Sequence, residues 1–159
     1  GANTKLSESF IKQLHYILKS GTTDSQKSWF KVGDYKMLEN EVGGDETTKP
    51  ADVAAEMKSL LTEYNAKSEI GFDDVLDFHV RFEAIHPFQD GNGRIGRLIM
   101  FKECLKHNIV PFIITEELKL YYYRGIQNWK NERGCLRDTC LTGQDVMKQW
   151  LDYFGIMYN

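Results

Sequence analysis

The chain has 159 residues, with 20 Lys plus Arg against 23 Asp plus Glu, and 42% of it is hydrophobic. That is enough apolar sequence for one domain with its own core, and the composition excludes wholesale disorder. The net charge of −3 excludes a chain that binds polyanions over its whole surface, and no apolar run approaches the about 18 residues of a membrane-spanning helix.

The apolar spacing is mostly helical. Leu6, Phe10, Ile11, Leu14, Ile17 and Leu18 form the face of a first helix that Gly21 stops. Between Tyr35 and Pro50 the rhythm breaks, and Gly43-Gly44 between two short segments reads equally as a hairpin or as a connecting loop. Pro50 suits a first helical turn, and Val53, Met57, Leu60, Leu61 and Tyr64 follow it as a second stripe. Val75, Phe78, Phe82 and Ile85 make a third, and Ile95, Leu98, Ile99 and Leu105 a fourth. Thr115 caps a fifth helix with Glu116 and Glu117 near its positive end. Thr142 and Asp145 make a capping-box-like start to a last helix carrying Val146, Trp150, Leu151 and Phe154. The three cysteines, Cys104, Cys135 and Cys140, are too sparse for a disulfide framework and lack zinc-site spacing, so they read as packing residues. With no signal-peptide pattern, a cytoplasmic location is expected. The chain begins Gly1-Ala2 rather than Met, which leaves room for a segment upstream.

The chemistry concentrates in one loop between the third and fourth stripes, Ile85-His86-Pro87-Phe88-Gln89-Asp90-Gly91-Asn92-Gly93-Arg94-Ile95-Gly96-Arg97. His86 ends a helix, and Pro87 is expected to force an extended turn there. A histidine can act as base or acid near neutral pH. One carboxylate such as Asp90, joined by substrate phosphates, is the usual hold on Mg²⁺. Gly91-Asn92-Gly93 leads into a helix start whose N–H groups suit an anion. Arg94 and Arg97, three apart, share a helix face and can grip phosphate oxygens. Each residue alone has a commoner role as a cap, a turn or a solvated charge. Together they meet the needs of phosphoryl or nucleotidyl transfer. No Walker-type phosphate loop occurs in the chain.

This stretch resembles the signature of the Fic family, H-x-F-x-[DE]-G-N-G-R-x-x-R. Its eight fixed positions are all met, by His86, Phe88, Asp90, Gly91, Asn92, Gly93, Arg94 and Arg97. At about one in twenty per position, a chance match somewhere in the chain is on the order of 10⁻⁸. The helix from Phe78-His79 to Ile85, the segment Leu98-Ile99-Met100, the flap ahead of Pro50 and the Tyr122-Tyr123 pair also resemble the family, from about Ser28 onward.

The resemblance implies a mostly α fold, a helical bundle with one small β-hairpin flap near the active site, and a single Fic domain over residues 1–159. It implies transfer of AMP from ATP to a Tyr, Ser or Thr hydroxyl of a target protein. By position, His86 would be the general base and Asp90 would hold Mg²⁺. Gly91, Asn92 and Gly93 would form the anion hole, Arg94 would grip phosphate oxygens, and Arg97 would hold the γ-phosphate. The flap, about residues 36–48, would dock an extended target segment, with Thr47 and Thr48 as contacts. Tyr122 and Tyr123 would lie on the adenine side or pack in the core. His79 is expected to pack, and His15 and His107 to be surface or boundary residues. A phosphotransferase or an AMP-removing hydrolase with the same site, and a non-catalytic interaction module, are the alternatives.

Family members are usually restrained by a helix reading [ST]-x-x-x-E-[GN]. Thr4 and Glu8 have its spacing, but Ser9 follows; Glu39-Asn40 has its ending, but Tyr35 stands where Ser or Thr belongs. The inhibitory helix is therefore expected upstream of Gly1, on a separate antitoxin chain, or not at all. Apart from the target protein, a homodimer is a further expected partner, while membranes and nucleic acid are not expected.

Overall fold

A computed structural model describes residues 1–159. Six helices carry the fold: α1 (Glu8–Lys19), α2 (Val53–Asn65), α3 (Phe72–Ile85), α4 (Asn92–Lys106), α5 (Glu116–Asn128) and α6 (Arg133–Tyr153). Two short strands, β1 (Glu41–Val42) and β2 (Asp45–Glu46), pair antiparallel with Glu41 opposite Glu46 and Val42 opposite Asp45. The hairpin reading is therefore the right one. Its turn is Gly43-Gly44, with φ of 59° and 84°. Two consecutive left-handed positions are what a tight two-residue hairpin asks for and what glycine supplies. No helix is long and apolar enough to cross a membrane.

The chain divides into two compact units. The first holds residues 3–69 and 77–99. Its core is Leu6, Ile11, Met57, Leu60, Phe82, Phe88, Ile95 and Ile99, all nearly or fully buried. Helix α1 begins at Ser7, whose Oγ accepts a hydrogen bond from Phe10 N at 3.2 Å. The buried face of α1 is Ile11, His15 and Lys19, spaced i, i+4, i+8, and Ile17 points outward. Two polar residues thus occupy the inner face, and both meet Asp90 in the loop between α3 and α4, as described below.

The second unit holds residues 70–76 and 100–159. Helices α5 and α6 pack at close range where Gly125 meets Leu136. Arg137 clamps Asp73 with two hydrogen bonds, Nε to Oδ1 at 2.8 Å and Nη2 to Oδ2 at 2.5 Å. Gln144 donates to the buried Val110 carbonyl at 2.8 Å. Cys104 and Cys140 are buried and Cys135 exposed, and all three are free thiols.

Two local expectations give way. The last helix does not start near Thr142 but at Arg133, with the Glu132 side chain accepting from Gly134 N at 2.7 Å. Thr142 lies mid-helix, where its hydroxyl bonds back to the Asp138 carbonyl at 2.9 Å instead of capping. Thr115 does sit at the N-cap of α5, but its side chain makes no cap hydrogen bond there.

Candidate active site

The loop between α3 and α4 is held at both ends by helix termini. His86 N donates to Phe82 O at 3.0 Å, closing the last turn of α3. His86 itself has φ of 50°. The expected extended turn before Pro87 is therefore wrong: the residue caps the helix in the left-handed region. That conformation costs on the order of 1 kcal/mol for a residue with a Cβ, and it persists only where the surroundings enforce it. Here the enforcement is visible. Asn40 Nδ2 donates to Phe88 O at 2.9 Å and to His86 O at 3.4 Å. Lys36 N donates to Pro87 O at 2.9 Å.

Asn92 closes the loop on itself. Its side chain accepts from Phe88 N at 2.8 Å and donates to Phe88 O at 2.7 Å, and it is buried. The Asn92 side chain is thus turned inward to brace the loop, while its backbone N–H lies at the start of α4. Gly91 takes φ of 90°, and Ile95 N is the first to bond back into the helix, to Gly91 O at 3.0 Å. The N–H groups ahead of it open the helix start as a positive end. A Cβ on Gly91 would sit 3.0 Å from Leu18 Cδ2, and one on Gly93 would sit 3.0 Å from Arg97 Nη1. Both glycines allow close approach by a side chain that borders the loop. The Arg97 guanidinium lies over Gly93, and Arg94 is exposed, with Nη2 3.2 Å from Asp90 Oδ2.

Helix α1 supports this loop from beneath, which local sequence did not show. His15, expected as a surface or boundary residue, is fully buried. Its Nε2 lies 3.1 Å from Asp90 O, its Nδ1 accepts from Gly33 N at 2.9 Å, and its ring stacks on Phe88 at 4.1 Å. Gly33 N must donate to Nδ1, so the proton of the neutral ring sits on Nε2 and is offered to the Asp90 carbonyl. Lys19 Nζ lies 2.7 Å from Asp90 Oδ2 and 2.8 Å from Asp24 Oδ2. The Lys19 hydrogen bond, first, and the Arg94 charge hold the Asp90 carboxyl below its usual range.

The flap hangs from the same loop through Lys36. Its ammonium donates to Asn40 Oδ1 at 2.6 Å, Thr47 Oγ1 at 2.8 Å and Ile85 O at 3.3 Å. Asn40 precedes β1, Thr47 follows β2, and Ile85 O lies at the negative end of α3. One buried cation therefore ties both stems of the hairpin to the helix that ends at His86. Burial pushes the Lys36 amine down to about 8, against the pull of Glu39 and Glu56. Thr48 instead donates to Glu56 at 2.6 Å. Replacing Lys36 by Met would remove its three hydrogen bonds; Asn40 Oδ1 keeps Thr47 Oγ1 at 2.6 Å, and the Ile85 carbonyl loses its donor at about 1–3 kcal/mol. The expected result is a less stable chain whose hairpin amides, residues 41–46, exchange at least about tenfold faster; unchanged exchange would show that the hairpin does not depend on Lys36.

His86 is half-buried, and its pKa is lowered by burial first and by the Lys36 charge second, opposed by the Glu83 carbonyl and Asp90. A neutral imidazole at neutral pH is the form a base needs. Behind it, Glu83 and His79 pack against Gly96. Both are buried, and a Cβ on Gly96 would collide with Glu83 Oε1 and sit 3.1 Å from the His79 ring. Burial pushes Glu83 up to about 7, opposed by Arg97, and pushes His79 down to about 4. His79 is a packing residue, as expected.

The signs of these two shifts oppose. Ionising Glu83 costs stability as pH rises from 4.5 through about 7. Neutral His79 contributes stability that is lost as pH falls from 6.5 through about 4. Each is worth about 3 kcal/mol across its full window. In Glu83→Gln only the histidine contribution remains, so stability should climb between pH 4 and 6.5 and stay flat to pH 8, above the wild type there. Calorimetry at pH 5 and pH 8 checks this; a variant less stable than the wild type at pH 8 would contradict it.

Tyr122 and Tyr123 lie on α5 in the second unit, with rings 5.1 Å apart. Tyr122 is buried and Tyr123 exposed. His107 is a boundary residue, 3.8 Å from Glu103 Oε1.

The fold and loop define a class: a mostly helical chain in which a histidine and a carboxylate flank the open start of a helix beneath a β-hairpin. The family model of the Fic/DOC family matches residues 5–104, and the chain belongs to that family. It is 31% identical over 98 residues to protein adenylyltransferase Fic of Aedes aegypti, covering 60% of this chain and 20% of that protein. To protein adenylyltransferase fic-1 of Caenorhabditis elegans it is 25% identical over 99 residues, with the same shares. The chain thus spans about a fifth of the length of these relatives. Among solved structures, a Fic domain containing signaling protein of Bacteroides thetaiotaomicron is 28% identical with a TM-score of 0.70, covering 96% of this chain and 59% of that one. C. elegans Fic-1 (residues 134–508) is 18% identical with a TM-score of 0.77, covering 95% and 44%, a likeness of fold alone.

Proposed function

We propose that the chain is the Fic domain of a protein adenylyltransferase, moving AMP from ATP to a Tyr, Ser or Thr hydroxyl of a target protein. The observation that carries this is the loop itself, where His86 is fixed by Asn40, Lys36 and the end of α3, beside the open start of α4. In the reaction the target hydroxyl oxygen attacks the α-phosphorus, the bond to the α–β bridging oxygen breaks, and pyrophosphate leaves. His86 takes the hydroxyl proton. The N–H groups of Asn92, Gly93 and Arg94, with the Arg94 and Arg97 side chains, hold the charge that builds on the phosphates. An extended target segment pairs with the hairpin edge at β1–β2, which sets its hydroxyl toward His86.

The family implies a divalent cation. No three His, Cys, Asp or Glu side chains gather anywhere in the chain to cage one. Asp90 offers a single half-exposed carboxylate at the mouth of the cradle. That fits a cation that arrives on the nucleotide and keeps most of its ligands from phosphate and water. When bound, it would neutralise phosphate charge at the reacting end.

Incubation of the chain and Mg²⁺ with a cell lysate, once with α-labelled and once with γ-labelled ATP, tests the proposal. Protein should take up the α label only. Uptake of the γ label would mean that the nucleotide sits reversed and the chain is a phosphotransferase.

A further inference from the structure

We propose that Lys19 is a resident counter-ion for Asp90, holding the carboxylate until a nucleotide-borne divalent cation takes it, and so setting how tightly the site binds that cation. This rests on the assignment of Asp90 as the cation's ligand.

The geometry is specific. Lys19 ends α1, and the side chain of this lysine is only 6% exposed, unlike an ordinary surface lysine. Its Nζ bridges two carboxylates, Asp90 Oδ2 at 2.7 Å and Asp24 Oδ2 at 2.8 Å. Its stem runs along the cradle, 3.7 Å from where a Gly91 Cβ would be. The ammonium thus reaches the one carboxylate of the signature loop from the protein's side, while Arg94 reaches it from solvent at 3.2 Å. Burying the stem removes rotamers that would let the ammonium swing away, so the pair is better organised than an exposed one.

Asp24 makes the arrangement an exchange. It stands on the short 3₁₀ turn Thr23–Gln26 just after α1, and Lys27 holds its other oxygen at 2.8 Å. When a cation takes Asp90, Lys19 keeps Asp24 as a partner and is not left as a buried, unpaired charge. Without that second carboxylate, releasing Asp90 would be costly. The pair Asp24 and Asp90 with Lys19 between them is therefore a site in which one cation can be traded for another with little rearrangement.

The test measures Mn²⁺ binding by electron paramagnetic resonance, in the presence of a non-hydrolysable ATP analogue. It uses wild type, Lys19→Met, Asp24→Asn, Asp90→Asn and the double variant Lys19→Met/Asp90→Asn. Lys19→Met should bind Mn²⁺ about fivefold tighter, the scale of one partly shielded ion pair. Asp24→Asn, which leaves Asp90 as the only anion for Lys19, should bind it two- to threefold more weakly, on the same scale. The gain from Lys19→Met should vanish in the Asp90→Asn background, because it acts through that carboxylate. If the gain persists there, it is general charge and the inference fails. If Asp90→Asn weakens binding while Lys19→Met does not tighten it, the inference fails and Asp90 remains the ligand. If Asp90→Asn leaves binding unchanged, Asp90 is not the ligand and both fall. Should Lys19→Met not fold, Asp24→Asn decides the sign, since its side chain is 30% exposed.

Discussion

Replacing His86 by Ala is expected to lower adenylyl transfer by about a thousandfold while leaving the affinity for ATP within about twofold. The loss is expected from removing the proton acceptor, not from disturbing the loop and the start of α4. Phe88, Asn92 and Gly91 are braced by hydrogen bonds that do not pass through the imidazole. The hydrogen bonds from the Asn40 side chain to the His86 and Phe88 carbonyls survive the substitution, because both acceptors are backbone atoms. Histidine is favoured over alanine in the left-handed conformation at φ of 50°, but alanine's penalty there is of the same order, about 1 kcal/mol. Calorimetric titration with ATP and Mg²⁺ separates the two quantities. A variant that transfers at the wild-type rate would remove His86 from the base role. A variant that loses ATP binding as well would show that the loop had collapsed and would call for His86→Gln.

The largest expected effect on the fold lies in the second unit. A Cβ on Gly125 would come within 2.7 Å of Leu136 Cα and 2.9 Å of Leu136 N. These are backbone atoms of α6, so no side-chain rotation relieves the clash, and the helices must move apart. Overpacking of this kind costs about 3 kcal/mol or more. The roughly 1 kcal/mol that alanine gains over glycine in a helix offsets only part of it. Gly125→Ala should therefore lower the Tm by roughly 5–10 °C. An unchanged Tm would mean that α5 and α6 do not meet at this distance.

The sequence made legible what is local. Helix stripes, the Gly43-Gly44 turn and the signature loop each lie within a few residues of their own cause. The loop could be read because its chemistry is contiguous from His86 to Arg97. What was missed is carried by contacts between distant segments. His15 and Lys19 meet Asp90 across 75 and 71 residues, and Lys36 meets Ile85 across 49. Polar residues on a helix face read as solvated unless their partners are known, so His15 and Lys19 gave no signal. The spacing Ile11, His15, Lys19 did hold a clue, since it continues one face. The left-handed His86 was hidden by the usual preference of a residue before proline, which the hydrogen bonds from Asn40 and Lys36 override. The start of α6 was obscured by Thr142 and Asp145, which imitate a cap inside a helix that Glu132 had already begun.

The proposed function has this loop join AMP to a hydroxyl carried on a segment docked at the hairpin. Mass spectrometry of the lysate protein modified by the chain in the presence of ATP and Mg²⁺ addresses it most directly. An adenylyl group is expected on a Tyr, Ser or Thr side chain, absent when His86→Ala replaces the wild type. A phosphoryl group in its place, or an adenylyl group that forms equally well with His86→Ala, would contradict it.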